Sequence, residues 1–448
     1  MSSSVRRADR LADHPTVRAI EGRPLAPAEE VIDAAELRRL CLELGADDVG
    51  FVEVERPALA AQRADIARLL PTAKTLISFV LRMNREPVRN PARSIANVEF
   101  HQVGHTVNGV GHAIVRRLEA QGIQALNATM GFPMEVEREK FWVLEHKPIA
   151  VAAGLGKMGI HRNVIHPKFG NFILLGTVLV DRPVTSVASE LTYTPCLECN
   201  LCVAACPVGA IGTDGSFHFG ACLTHNYREF LGGFNDWVGT IADSKSRADY
   251  NERVAESETL SMWQSLSFGA NYKSAYCMAV CPAGEDVIRP FLNDRKSYLD
   301  RVVRPLQQRE EPVYVIAGSN AEHHVQRRFP HKTPRRVRGS LRARSIRGFL
   351  FALPSLFQSD AAEGLEATYH FVFTGDEPRE ATIEIRGKRV AVNDGLLGRA
   401  DLRVTVDGAS WLRFLAGRVG LGRMLVTGKL RLRGRPTLLA AFGRCFPS

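Results

Sequence analysis

An α/β core, a cysteine-rich irregular segment inserted after it, and a separate C-terminal α+β domain form the architecture this sequence predicts. Three observations carry that reading. Helical and strand-like periodicities alternate between residues 31 and 190. Seven of the nine cysteines fall between Cys196 and Cys281. Past Gly348 the pattern changes to short alternating strands separated by turn signals. A chain of 448 residues exceeds one ordinary core, so several domains are expected. No apolar run reaches the roughly 18 residues of a membrane helix.

In chain order, residues 1–30 read as a mobile tail. Arg6 and Arg7 have no apolar stretch behind them. That is unlike an export signal, and it sets the expectation of a cytoplasmic protein. The core, 31–190, begins with a helix carrying Leu37, Leu40, Cys41 and Leu44 at three- and four-residue spacing. "ADDVGFVEV" and "TLISFVLRM" read as strands, Val110 to Gln121 as a helix, and "GNFILLGTVLVD" as another strand. The cysteine-rich segment spans 191–300. Residues 301–345 read as a basic linker: 301–350 carries 12 Lys/Arg against three Glu, most of the net charge of +10. From 346 to 448, "ATYHFVFTG" and "ATIEIRG" alternate as strands, "SWLRFLAGRVG" reads as a helix, "KLRLRG" as a strand and "PTLLAAFGRCF" as a closing helix.

The cysteines carry the chemistry. "CLECNLCVAACPVGAI" spaces Cys196, Cys199, Cys202 and Cys206 as C-x2-C-x2-C-x3-C-P. Thiolates are soft anionic donors suited to iron–sulfur clusters. Three of them wrap one cluster, and the Cys-Pro cysteine reaches a second cluster in two-cluster proteins. The partner group is downstream: Cys222, then Cys277 and Cys281-Pro282 in "YCMAVCPAGED". The spacing assigns Cys196, Cys199, Cys202 and Cys281 to cluster 1. It assigns Cys206, Cys222 and Cys277 to cluster 2. Cluster 2 is one thiolate short, because the position three before Cys277 is Ser274. Ser274 or another oxygen or nitrogen ligand such as His225, a three-iron cluster, and a four-iron cluster with an open corner all fit. Zinc also uses C-x2-C but has no use for two Cys-Pro elements.

"GLGKMG", Gly154 to Gly159, matches the G-x-G-x-x-G dinucleotide fingerprint. A flavin or nicotinamide site there needs a strand before it and a long helix after it, and "IHRNVIHPKFGN" with Pro167 is no such helix. The wider run "KPIAVAAGLGKMGIHRNVIHPKFGNFILLGTVLVDRPV" followed by the cysteine motif resembles the cobalamin-dependent epoxyqueuosine reductases and reductive dehalogenases. Those families share an AGLG-x-x-G segment, a Pro-x-x-Gly turn, a strand ending in Asp, and two ferredoxin motifs. The resemblance spans about residues 35–300. It implies a two-cluster ferredoxin-like module inserted in an α/β core, and a corrinoid between core and clusters. Gly154, Gly156 and Gly159 would then let backbone approach the corrin, with His161 beside it; a tight turn is the plain alternative.

The departures are specific. The dehalogenases are similar in using a tyrosine acid, and this chain has no tyrosine before Tyr193. The epoxyqueuosine reductases use an aspartate before AGLG. Here that stretch holds Glu135, Glu137, Glu139 and Glu145 instead. His101, His105 and His112, at offsets of four and seven, share one side of a helix. His101 and His105 are therefore the candidate proton donors, against a plain reading as a polar surface. His161 and His166 stand in the same balance.

The C-terminal domain, about 346–446, resembles the sterol-carrier-protein fold in the order of its elements, which implies a lipid or sterol-like ligand. "IRGFLFALPSLFQ" either docks on that domain or, with the basic run, lies on an anionic membrane through residues 327–358. Nucleic acid fits poorly, because the basic run lacks interleaved stacking aromatics. Together these features point to an iron–sulfur oxidoreductase. Single electrons, from a donor such as a ferredoxin or flavodoxin, would pass through two 4Fe–4S-type clusters to a reaction centre holding a corrinoid and a hydrophobic or small organic substrate. The alternative is a non-catalytic electron carrier or lipid-linked interaction protein without cobalamin.

Overall fold

The computed structural model describes residues 13–22, 30–135, 142–337 and 343–447. Asp33 starts the first long helix, α1 (Ala34–Glu43), its carboxylate accepting from the Glu36 backbone N–H at 2.9 Å. Leu37 and Cys41 on its inner face are buried. The strands β1 (Asp48–Glu53) and β2 (Thr75–Arg82) follow, and seven successive residues of β2 are buried, as in a strand covered on both faces.

The next helix, α2 (Arg93–Glu119), begins well before Val110, where periodicity first shows in the sequence. Its first turns point polar side chains inward, which hides the period. Asn97 exchanges hydrogen bonds with the Tyr272 backbone at 2.8 and 3.0 Å, and Glu99 accepts from the Asn84 backbone at 2.6 Å. Both residues are buried and satisfied.

With β3 (Ala125–Ala128), α3 (His146–Ala152) and β4 (Ile173–Val180) the core sheet is complete, in the order β1-β2-β4-β3. Every pairing is antiparallel. The expected alternation of helix and strand is present, but no two neighbouring strands of this sheet are parallel. The β1–β2 and β3–β4 connections return the chain beside its neighbour in reverse, whereas the connection carrying α2 crosses over and leaves β3 parallel to β2 with β4 between them. At the centre Gly176 lies under the Phe79 ring, 2.1 Å from where its Cβ would stand, so β4 accepts no side chain there.

The cysteine-rich segment contributes α4 (Phe219–His225), α5 (Gly232–Asp243) and α6 (Glu256–Phe268), with short turns at Leu201–Ala205 and Tyr276–Ala279. The segment after it departs from the expected linker. β5 (Pro312–Ile316) and β6 (Thr333–Val337) pair in parallel across α7 (Asn320–Arg328). Val313, Val315 and Val325 are fully buried within the main core. The surrounding positive charge masked this unit, and part of that charge faces inward. Lys332, 2% exposed, donates to the Glu311 carboxylate at 2.8 Å and to the Arg309 carbonyl at 2.7 Å. Residues 338–342 of the basic run lie outside the described residues.

The C-terminal domain follows its expected order. α8 (Ile346–Leu356) leads into β7 (Ala367–Thr374), β8 (Arg379–Arg386), β9 (Arg389–Asp394) and β10 (Leu402–Asp407). Then come α9 (Gly408–Leu415), β11 (Leu430–Gly434) and α10 (Thr437–Cys445). The sheet order is β9-β8-β7-β10-β11, with only β7 and β10 parallel. Tyr369, Phe371, Phe373, Trp411 and Phe442 fill its core. Ile346, Phe349, Leu350 and Leu353 of α8 are buried against the same core. The apolar stretch therefore docks on the domain. The other end of α8 reaches α4, where the Ser355 carbonyl is 2.7 Å from a Cβ placed on Gly220. No helix among the described residues is long and apolar enough to cross a membrane.

Candidate functional site

The loops that carry the cysteines are bent in an uncommon way. Among the described residues five non-glycine residues have left-handed backbone, and four of them are Arg162, Glu198, Asn200 and Ala275. Glu198 and Asn200 flank Cys199, and Ala275 lies two residues before Cys277. Backbone strain of roughly 1–3 kcal/mol per residue persists only where the surroundings enforce it, and here it curls short loops around the thiols.

Those loops sort the thiols into two sets. Cys196, Cys199, Cys202 and Cys281 line one cavity, together with His161 and Pro282. Cys206 is absent from that lining, although it is only four residues beyond Cys202. Its Sγ instead accepts the Ala210 backbone N–H at 3.2 Å. It acts electrostatically on Cys222 and Cys277. Cys277 also influences Cys202 and Cys281, so the sets adjoin at Cys277. Burial pushes the Cys277 thiol up to about 11 and Cys281 to about 12, and raises Cys202, Cys206 and Cys222 as well. No three His, Cys, Asp or Glu side chains among the described residues close in as around a single ion. A cubane, being larger, holds its thiolates further apart than one zinc at about 2.3 Å per bond.

A polar seam runs between the sets. The Asn163 backbone N–H donates to His161 Nδ1 at 3.1 Å, so the neutral ring carries its proton on Nε2. Nε2 faces the Asn171 amide at 3.3 Å, and the Asn171 Oδ1 is buried without a partner. A half-turn of that amide brings its oxygen to the Nε2–H. Burial, then the nearby Lys147, lowers His161 to about 4. Lys147, at the start of α3, donates to the Arg162 carbonyl at 2.8 Å and to Asn163 Oδ1 at 2.9 Å. Lys147 and Asn163 both lie in the run that carries the family resemblance, but no spacing within it singled them out. Only the fold brings them beside Cys277.

Ser274 is engaged by Asn226. Its hydroxyl and backbone N–H both reach Asn226 Oδ1, at 3.2 and 3.1 Å. His225 accepts the Tyr314 backbone N–H on Nδ1 at 3.3 Å. Its Nε2 is buried without a partner, and burial followed by Lys273, Lys332, Arg309 and Arg228 lowers the ring to about 3. The charged groups acting on His225 are thus all cations.

Gly154, Gly156 and Gly159 are required by the chain's own packing. A Cβ would stand 2.6 Å from the Ser189 carbonyl at Gly154, 2.5 Å from the Ile165 carbonyl at Gly156, and 2.8 Å from His161 at Gly159. A helix precedes the run and a two-residue strand, Lys157–Met158, lies within it, which is not the context of a dinucleotide site. The Pro167–Gly170 turn docks instead on the loop after Cys281. Pro167 and Lys168 carbonyls accept from Glu285 and Asp286 N–H groups at 2.9 and 3.0 Å.

His166 anchors this turn. Its Nδ1 accepts from the Lys168 and Phe169 N–H groups, and its Nε2–H donates to Asp48 at 2.9 Å. Burial pushes the Asp48 carboxyl up, but bonds from His166 and Arg38 outweigh it and hold it at about 2. An unfolded aspartate titrates near ~3.9. The folded value is the lower one, so this stabilisation is complete above pH ~4 and is lost as pH falls toward 2. Asp48→Asn is expected to cost about 2 kcal/mol at neutral pH and to flatten the acid limb of stability between about pH 4 and 2. Urea unfolding across a pH series measures both effects.

The candidate proton donors lie elsewhere. His105 and His112 are exposed on α2, and His101 packs on the Gly269–Ala270 turn with Nε2 buried and unpartnered. Glu135 and Glu145 are exposed, while Glu137 and Glu139 lie outside the described residues.

Comparison with known proteins finds two similarities. The epoxyqueuosine reductase of Vibrio cholerae serotype O1 is 27% identical over 226 residues, 44% of this chain and 59% of the relative. The chain thus spans less than two thirds of that relative's length. A reductive dehalogenase structure overlaps 43% of this chain and 27% of its own, at TM-score 0.34 and 16% identity. An epoxyqueuosine reductase solved with a tRNA stem loop overlaps 42% of this chain and 56% of its own, at TM-score 0.30 and 16% identity. Neither superposition carries an argument. The model of the SCP-2 sterol transfer family matches residues 352–446. The chain pairs a stretch similar to the epoxyqueuosine reductases with a C-terminal segment matched by the SCP-2 sterol transfer family.

Proposed function

We propose that this chain is an iron–sulfur oxidoreductase of the epoxyqueuosine reductase type, holding two clusters in a crossed arrangement. The observation that supports the reading is that Cys196, Cys199, Cys202 and Cys281 line one cavity, while Cys206, from the same motif as the first three, is absent from its wall. The donor chemistry fits: buried thiols gathered by strained loops suit a soft, polynuclear iron centre. Cys196, Cys199, Cys202 and Cys281 would hold cluster 1; Cys206, Cys222 and Cys277 would hold cluster 2. When bound, such clusters supply single electrons at low potential. The chain's part is to exclude water, neutralise charge and fix the spacing of the two centres.

A corrinoid belongs to the enzymes this chain resembles, but Gly154, Gly156, Gly159 and His161 offer it no open cradle. The glycines face this chain's own atoms, and both His161 nitrogens have neighbours. No step is assigned to a corrinoid or to His101 and His105. These same features favour a second reading, an electron carrier without cobalamin. In either reading the C-terminal domain binds an apolar ligand, and α8 is the element that touches both that domain and α4, the helix carrying Cys222. Nucleic acid, which the basic run does not favour, is present with one epoxyqueuosine reductase, the one solved with a tRNA stem loop.

Anaerobically purified protein is expected to hold about eight iron atoms per chain, or about seven if cluster 2 has three irons. Metal analysis showing zinc in place of iron ends the reading. Corrin absorbance after reconstitution separates reductase from carrier, and gel-shift with a tRNA stem loop tests RNA.

A further inference from the structure

Reduction adds negative charge to a cluster, so a fixed cation nearby favours the reduced form and raises the potential. The two thiol sets differ in this respect. The cavity lined by Cys196, Cys199, Cys202 and Cys281 has no lysine or arginine in its wall. At the second set a cation, an amide and a thiol stand in line. The Lys147 ammonium donates to Asn163 Oδ1 at 2.9 Å, and Asn163 Nδ2 lies 4.0 Å from Cys277 Sγ. Both hydrogen-bond acceptors of Lys147, Asn163 Oδ1 and the Arg162 carbonyl, are neutral, so its charge is not cancelled locally.

A second buried cation, on which Glu311 also acts, lies near Cys277. Arg93 is 5% exposed, its guanidinium sits 5.4 Å from the centre of the Tyr276 ring beside Cys277, and its Nε and Nη2 have no partner. The second set is also one thiolate poorer, because Ser274 is committed to Asn226.

We infer that Lys147, relayed through Asn163, holds the second cluster at a higher reduction potential than the first. The inference rests on the two-cluster reading. It makes the second cluster the place where an electron from an external one-electron donor comes to rest. Lys147 is a positioning charge and not a ligand.

The test is a dithionite potentiometric titration of the anaerobic protein, followed by electron paramagnetic resonance. Lys147→Gln is expected to lower the ratio of reduced to oxidised second cluster at its parental midpoint about tenfold, equivalent to about 59 mV for one electron. The first cluster should not move. Lys147→Arg should keep the parental value. Asn163→Asp, which places a carboxylate beside Lys147, should lower the potential with the lysine retained. An unchanged second midpoint in Lys147→Gln and Asn163→Asp, or an equal shift in both clusters, overturns the inference. A parent protein without iron overturns the two-cluster reading itself.

Discussion

Gly170→Ala is expected to lower the melting temperature by about 5–10 °C and to deplete the cluster held by Cys281 while sparing the other. Gly170 has a φ of 66°, in the left-handed region, and an added Cβ would stand 2.0 Å from the Ala283 carbonyl oxygen. Gly284 faces it at similar range, its own Cβ position 2.4 Å from the Gly170 nitrogen. Two glycines thus let two backbones meet where side chains have no room. Overpacking costs about 1–3 kcal/mol and the left-handed strain about 1–2 kcal/mol. Each kcal/mol moves the melting temperature of a chain of this class by about 2–4 °C. The strain cannot be relieved away from the site, because the loop that must yield begins two residues after Cys281. Gly215→Ala is the matched control. Its φ is 78°, but nothing lies within 4 Å of the added carbon, so it carries the backbone cost alone. Calorimetry and iron analysis on the two variants decide the matter. Equal losses in both would mean that the Gly170–Gly284 contact does not support Cys281.

That contact shows which parts of this molecule are readable from sequence. The cysteine spacing is legible because it is local chemistry: a C-x2-C-x2-C loop encodes its geometry in a few bonds. The C-terminal elements are legible because each strand alternates and each turn has its own residues. The Pro-x-x-Gly turn is visible as a motif, but its partner at Gly284 lies more than a hundred residues away. The charge of Lys332 is visible, while its burial against Glu311 is not, so a folded β5–α7–β6 unit reads as a linker. Asn97 and Glu99 look like surface residues because their partners, Tyr272 and Asn84, are set by tertiary contacts. Lys147 and Asn163 are ordinary residues until the fold lays them next to Cys277. Local patterns survive in the sequence; pairings between distant polar residues do not.

Cys206→Ala is expected to leave the same residual spectrum as Cys277→Ala, and a different one from Cys199→Ala, although Cys206 and Cys199 share one motif. The Cys206 thiol turns from the cavity of its neighbours, takes the Ala210 N–H, and faces Cys222 and Cys277. The size of the loss should also differ. The first set has four thiols, and losing one leaves three, enough to retain a cluster in part. The second set has three, because Ser274 donates to Asn226, and losing one leaves two. Iron should therefore fall by about half, near four atoms per chain, in Cys206→Ala, and by less in Cys199→Ala. Groups that act as one unit are not additive, so Cys206→Ala with Cys277→Ala should lose little more than either alone. Cys206→Ala with Cys199→Ala should lose both centres. Iron content with electron paramagnetic resonance on these five proteins reads all of this. If the Cys206→Ala spectrum matches Cys199→Ala, the first motif closes on its own cluster. Three thiols, Cys222, Cys277 and Cys281, would then remain for the site beside Lys147 and Asn163.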